Sequence, residues 1–158
     1  MQSMSQLVLN VEHTALEHRN SEGQLLWQCP LDSIVLMAEY TTNEGPFLDD
    51  YFLVFVSIEK GKQYFATASF YSDGREMIVE HLSQKWDVRV KLGLSHSTEW
   101  KSRVLWPPEI AGNDYFSFRE IQSDSRLEKL RGFAFGPARE YYPSQEVCEF
   151  LDSRCPKQ

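Results

Sequence analysis

The most apolar stretch of the chain is the run YFLVFVSIE at residues 51–59. Apolar side chains fill both alternating sets of positions, which is typical of a strand that is covered on both of its faces. A turn at Gly61-Lys62 follows, and residues 63–70 form a second β-like run. The two runs predict a hairpin at the centre of the fold.

Four runs before this hairpin also have strand character. Residues 7–11 alternate apolar and polar side chains, which is the period of a half-buried strand. Residues 13–29 contain two runs on either side of a turn at residues 20–23. Pro30 ends the second of them, because proline lacks the N–H that a ladder requires. Residues 33–42 form a long β-like run, and the whole region predicts an antiparallel meander.

One amphipathic helix is predicted at residues 74–86. Asp73 is its expected N-cap, and Glu76 lies three residues later, as a capping box requires. An apolar stripe along one face is expected to pack on the core. The stripe consists of Met77, Ile78, Leu82 and Trp86. We expect this helix to close the sheet.

Residues 87–95 fit two kinds of secondary structure. Alternating apolar side chains favour a strand, although Val88 and Leu92 also have the i, i+4 spacing of a helix. A short strand is predicted at residues 103–106. It ends at Pro107-Pro108, which is the best candidate for a boundary between structural units.

The chain beyond this boundary carries eight aromatic side chains, which is more than a disordered tail typically contains. Its patterns predict a strand at 115–121, a capping box at Ser125 and Glu128, a β-like run at 132–136 and a helix at 144–154. We expect residues 1–110 to form a sheet-and-helix domain and residues 111–158 to form an extension that packs on it or covers a partner.

Composition places the chain among globular proteins, since 158 residues with 42% hydrophobic content can bury a core. The predicted class is α+β: a bent, mainly antiparallel sheet of about six or seven strands closed by one helix. A net charge of −7 disfavours a nucleic-acid phosphate backbone as partner, and no apolar run is long enough for membrane insertion. Three cysteines without metal-like spacing, and a beginning without a signal-peptide pattern, predict a cytoplasmic protein.

Two resemblances extend these expectations. The motif Trp27-x-x-x-Leu31-Asp32-Ser33-Ile34 between two strands resembles bacterial pleckstrin-homology-like domains over residues 5–86. That resemblance implies a bent antiparallel sheet closed by a helix. The motif Glu44-Gly45-Pro46-Phe47-x-x-Asp50-x-Phe52 is similar to a group of small uncharacterised bacterial proteins over residues 30–106. This second resemblance implies a helix at 87–95 and carries no activity.

Two candidate interaction surfaces follow from the residue types. The first is an acidic loop between two predicted core strands, where binding residues are often found. It comprises Glu44, Gly45, Pro46, Phe47, Asp49 and Asp50. Its carboxylates lack the every-second-position spacing of a calcium loop, so no metal site is predicted. The second is an aromatic surface formed by Trp100, Trp106, Tyr141 and Tyr142.

The expected function is a non-catalytic binding or scaffold module that recognises a protein partner, including a second copy of itself. Three alternatives stay open: a small-ligand or lipid-headgroup binder of the pleckstrin-like kind, an immunity-type acidic protein that neutralises a partner, and a small hydrolase. The hydrolase would use His81 or His96 with Cys29 or Ser95 as nucleophile. No cofactor is predicted, because no phosphate-loop, serine-elbow or zinc motif is present.

Overall fold

The computed structural model describes residues 5–12, 14–43, 48–97, 99–120 and 139–155. Over these residues the chain is an α+β protein with nine strands and two helices, which confirms the predicted class. The strands are β1 Gln6–Asn10, β2 Ala15–Arg19, β3 Leu25–Pro30, β4 Ile34–Thr41, β5 Tyr51–Glu59, β6 Lys62–Ser69, β7 Lys101–Trp106, β8 Phe116–Glu120 and β9 Arg139–Pro143. The helices are α1 Arg75–Lys85 and α2 Gln145–Arg154.

The strands form three antiparallel sheets, with the orders β1-β2-β3, β6-β5-β4-β7 and β8-β9. The prediction of one sheet with six or seven strands is therefore wrong. The chain changes sheet after β3, where Pro30 precedes a single 3₁₀ turn at Leu31–Ser33. The Ser33 hydroxyl donates to the Pro30 carbonyl at 2.8 Å, and β4 then begins the four-stranded sheet.

The four-stranded sheet is covered on both faces, as the apolar run at residues 51–59 predicted. Leu53 and Phe55 of β5 face an inner cluster shared with the three-stranded sheet and α1. Val54 and Val56 face an outer cluster. That outer cluster also contains Tyr115, Val147 and Leu151 from the C-terminal part of the chain. Each fully buried side chain of this size stabilises the fold by about 1.5–3 kcal/mol.

Helix α1 begins differently from the prediction. Its N-cap is Gly74 (φ 81°), with no side-chain cap, so the predicted Asp73 cap is wrong. The backbone of Asp73 instead pairs with β1, donating to Ser5 O and accepting from Leu7 N. A Cβ at position 74 would lie 2.2 Å from Leu7 O, so only glycine fits there. The predicted apolar stripe is also partly wrong, because Met77 is 55% exposed.

Helix α2 follows its prediction closely. Ser144 caps it, because the Ser144 hydroxyl accepts from Val147 N at 3.3 Å. The patterns predicted at residues 125–128 and 132–136 lie outside the described residues. Within the described part of the chain, neither helix is long and apolar enough to cross a bilayer.

Candidate functional site

The connecting segment between α1 and β7 (residues 87–95) carries no helix or strand, so the predicted strand and the helix implied by the second resemblance are both wrong. Val90 N donates instead to the hydroxyl of Ser83 on α1, at 3.1 Å. The side chains of Val88, Val90 and Leu92 pack against the inner cluster. The alternating sequence pattern therefore corresponds to side chains that point towards the inner cluster. The backbone of the segment forms hydrogen bonds with side chains of other elements and not with the backbone of a described neighbouring strand.

A buried carboxylate organises this region. Glu39 lies in the middle of β4 with no exposed surface, and it accepts from Gly93 N at 3.1 and 3.2 Å. Arg103 of β7 donates to Glu39 Oε1 through Nε at 3.0 Å and through Nη2 at 2.6 Å. The hydroxyl of Tyr51 donates to the other carboxylate oxygen. The charge of Glu39 is thus compensated by four donor groups, as a buried ion requires.

The same arginine fixes the connecting segment. Arg103 Nη2 donates to Lys91 O at 2.8 Å, so one guanidinium joins β4, β7 and this segment. Gly93 allows the close approach, because a Cβ there would lie 2.5 Å from Nη2 of Arg103. Burial raises the pKa of Tyr51, and the hydrogen bond to Glu39 raises it further, so the phenol stays protonated.

An open cleft of about 610 Å³ lies between α1 and the connecting segment. Its apolar lining comprises Phe70, Val79, Val90 and Leu92. Its polar lining comprises Arg75, Glu76, Glu80, Ser83, Arg89 and Ser95. Two cations and two carboxylates make the cleft formally neutral in a chain of net charge −7.

The floor of the cleft is anchored to the buried network. Phe70 stacks on Tyr51, with ring centroids 4.0 Å apart and an interplanar angle of 11°. The guanidinium of Arg75 lies 3.9 Å from the Phe70 ring and donates to Phe70 O at 2.5 Å. Arg89 is exposed and makes no ion pair with the described residues. The cleft therefore combines an apolar floor with one cation that forms no ion pair with a described residue.

The predicted acidic loop is only partly described: residues 44–47 lie outside the described residues. Asp49 and Asp50 are half-buried. The hydroxyl of Tyr71 donates to Asp50 Oδ1 at 2.8 Å, and this bond raises the pKa of Tyr71. No cluster of three metal-ligating side chains occurs in the described ranges.

The two tryptophans of the predicted aromatic surface make separate contacts within the chain. The indole N–H of Trp100 donates to Asn43 Oδ1 at 3.0 Å. Trp106 stacks on Trp86, with centroids 4.1 Å apart, and packs against the inner cluster. Tyr142 is 43% exposed, and the side chain of Tyr141 lies outside the described residues. Both tryptophans thus have partners within the chain.

The histidines and the thiol considered for catalysis do not converge on the cleft. His81 is half-buried on α1 and His96 is exposed, and neither lines the cleft. Cys29 is buried, and burial raises the pKa of its thiol. Ser95 does line the cleft.

Sequence reasoning missed the residues that build this site: Glu39, Tyr51, Phe70, Arg75, Arg89 and Arg103. One signal was available, because Glu39 lies inside the predicted β-like run of residues 33–42, directly after five apolar residues. A carboxylate in such a position requires a cationic partner or several hydrogen-bond donors.

Comparisons of the chain with protein-family models, with curated proteins and with solved structures find no match.

Proposed function

We propose that this chain is a non-catalytic protein-binding module that holds a short segment of a partner protein in the cleft between α1 and the connecting segment. The observation that carries the proposal is an apolar floor with charges of both signs on its walls. A cleft of about 610 Å³ admits a few side chains. Sites of this kind bind through apolar contact and use a few polar groups for orientation.

The charges in the cleft favour a particular chemistry for that segment. Val79 and Leu92 offer contact to an apolar side chain of the partner. Arg89 is available to a carboxylate of the partner, since no described carboxylate pairs with it. We therefore propose a segment in which an acidic residue lies beside an apolar one. The absence of a net positive charge in the cleft disfavours an anionic lipid headgroup, which basic clusters recognise.

The polar groups behind the cleft support a binding role over a catalytic one. Glu39, Arg103 and Tyr51 satisfy one another, and Tyr51 stays protonated because its pKa is raised. Groups committed in this way hold the connecting segment in place. None of the three lines the cleft, so a molecule bound there would not contact them.

Panning a randomised peptide library against the full chain tests the proposal. We expect enriched peptides that pair an acidic with an apolar residue. V79E should weaken their binding at least about tenfold, because it places a charge on the apolar floor. M77E is the matched control on the same helix, since Met77 is exposed and lies outside the cleft. Thermal melts of both variants establish that they remain folded.

Three results would contradict the proposal: no enrichment, enriched peptides that bind V79E as well as the parent, or peptides equally sensitive to M77E. Binding to vesicles that contain phosphatidylserine, lost in R89E, would favour the lipid-headgroup alternative instead. Turnover of a small molecule that S95A abolishes would favour the enzymatic alternative.

We also propose the pleckstrin-like relationship, the division near residue 110 and a cytoplasmic location. Packing of α1 against the inner cluster between two antiparallel sheets supports the first. The helix α2, which packs on the opposite face of the four-stranded sheet, is an addition to the pleckstrin-like arrangement.

The proposed cytoplasmic location is supported by the cysteines. Free thiols at Cys29, Cys148 and Cys155 are typical of a reducing compartment. A fluorescent fusion expressed in the native host tests the location.

A further inference from the structure

The outer edge of β6 is an open strand edge in the described part of the chain. β6 pairs with β5 on one side, from Lys62 to Ser69, without a register shift. Phe70 N donates to Tyr51 O at 2.8 Å, and hydrogen-bonded pairs alternate along an antiparallel ladder. Every second residue of β6 therefore directs its N–H and C=O away from β5. These residues are Gln63, Phe65, Thr67 and Ser69.

This edge lacks the features that usually prevent strand pairing. β6 contains no proline and no bulge, and Lys62 at its beginning is its single charged residue. The opposite edge of the same sheet is protected: β7 carries Lys101 and Arg103, and its Val104 exchanges backbone hydrogen bonds with residues 112–113. The sheet is thus open on the β6 side alone among its described edges.

Exposed apolar side chains occur on β6 itself and on β3. Tyr64 and Phe65 of β6, and Leu25 and Leu26 of β3, are each 49–54% exposed. The indole N–H of Trp27 on β3 donates to Thr67 O at 3.0 Å, so β3 contacts the β6 edge at this residue. A carbonyl oxygen has two lone pairs, so Thr67 O retains one for a further donor. Exposed apolar side chains and backbone groups that β5 leaves unpaired therefore coincide on β6, where Thr67 O and Ser69 O already accept from Trp27 and from Ser72 N.

The two ends of the β5–β6 hairpin carry opposite charges. At the turn, Lys60 and Lys62 outnumber Glu59. At the open end lie Asp49 and Asp50, the latter bound to the hydroxyl of Tyr71. An antiparallel pairing of two identical hairpins about a two-fold axis brings the turn of each next to the open end of the other. This edge is therefore complementary to itself in charge, although two copies of a chain of net charge −7 repel each other overall.

We propose that β6 pairs with β6 of a second copy, forming a two-fold homodimer with an eight-stranded antiparallel sheet. Phe65 of one copy lies opposite Thr67 of the other, so all four outward residues of each strand form hydrogen bonds. Leu25 and Leu26 of each copy extend the contact on the side of the three-stranded sheet. We assign a second copy of the chain as the partner of β6 because the two ends of the hairpin carry complementary charges. This proposal does not depend on the function proposed for the cleft.

Sedimentation of the full chain from about 1 to 100 μM tests the assembly. We expect a concentration-dependent dimer in the parent protein. F65K should raise the dissociation constant at least about tenfold, because it places like charges beside the two-fold axis. M77K is the control, since Met77 is similarly exposed but lies on α1. Circular dichroism establishes that both variants are folded.

A charge exchange tests the geometry. K62E alone and D49K alone should each weaken their own homodimers, because K62E makes the turn net negative beside the acidic open end and D49K cancels the net negative charge of the open end. An equimolar mixture of the two should form a heterodimer, in which the introduced lysine at position 49 faces the introduced glutamate at position 62 at one end and Lys62 faces Asp49 at the other. Native mass spectrometry distinguishes the three species by mass.

Amide exchange provides a readout that does not depend on a variant. On going from low to high protein concentration, the amides of Gln63, Phe65, Thr67 and Ser69 should become protected. Those of Tyr64, Ala66 and Ala68 should change little, because they already pair with β5. A parent protein that is monomeric at the highest concentration would overturn the proposal. A dimer insensitive to F65K and to the charge exchange, with no alternation in amide protection, would overturn it as well.

Discussion

Arg103 of β7 donates two hydrogen bonds to a single carboxylate oxygen of Glu39 on β4, at 3.0 and 2.6 Å. The two residues are direct neighbours in the ladder, because Glu39 is in register with Arg103. The carboxylate has no exposed surface, whereas the Arg103 side chain is 36% exposed. The pair therefore joins two strands, and its contacts with Gly93 and Lys91 determine where the connecting segment lies.

Replacing Arg103 by methionine should lower the free energy of unfolding by about 2–4 kcal/mol, because it leaves a buried carboxylate without its cation. Urea denaturation measures the loss. R89M is the matched control and should change stability by no more than about 0.5 kcal/mol, since Arg89 is exposed and makes no ion pair with a described residue. Equal effects of the two substitutions would contradict the assigned role of Arg103.

Replacing Gly93 by alanine should destabilise the protein by about 1–3 kcal/mol, because the added Cβ would lie 2.5 Å from a guanidinium already bound to Glu39. In the R103A background the same substitution should cost little, since the obstructing group is gone. The double-mutant cycle isolates the coupling between the two positions. S95A, a substitution on the same segment, serves as control. Additive effects of G93A and R103A would rule out the contact.

Acid should destabilise the fold through His18. This side chain is 7% exposed, and neither ring nitrogen has a hydrogen-bond partner among the described residues. Burial lowers the pKa of His18 below 6.5, so the unfolded chain binds its proton more readily than the folded protein does. Stability attributable to His18 is therefore full above about pH 6.5 and decreases as the pH falls from there towards the folded-state pKa.

Urea midpoints of H18L measured between pH 5 and pH 8 should show a shallower acid loss than those of the parent protein. His18 lies between Leu7 and Trp27 across neighbouring strands, so leucine is compatible with its surroundings. H96Q, at an exposed histidine, should reproduce the parental slope. An unchanged slope in H18L would refute the assignment to His18.

The turn between β5 and β6 carries strain that one substitution should relieve. Lys60 and Gly61 both have positive φ, 50° and 75°, as the two central positions of a type I′ turn do. Asparagine tolerates the left-handed region better than lysine, so K60N should raise the free energy of unfolding by about 0.5–1 kcal/mol. K62N, one position beyond the turn residues, should give no gain. A loss of stability in K60N would show that the lysine side chain makes a contribution of its own.

Local pattern predicted most of the elements that the structure describes. The hairpin of β5 and β6 follows from one apolar run, a glycine and a second β-like run. Helix α2 follows from Ser144 and the spacing of Val147 and Leu151. The errors occur where a distant element changes the local outcome. Asp73 does not cap α1 because its backbone pairs with β1, and residues 87–95 form no strand because side chains from α1, β4 and β7 bind their backbone.

The sequence by itself determined the α+β class, the strand that is covered on both faces and the negative charge, because each depends on residue type and on spacing along a few residues. Only the tertiary structure decided the cleft, the network of Glu39 and Arg103 and the open edge of β6. These features join residues far apart in the chain, such as the 64 positions that separate Glu39 from Arg103. The spacing of residue types along a chain does not predict such contacts, because they arise from the register between strands and from the packing of sheets against helices.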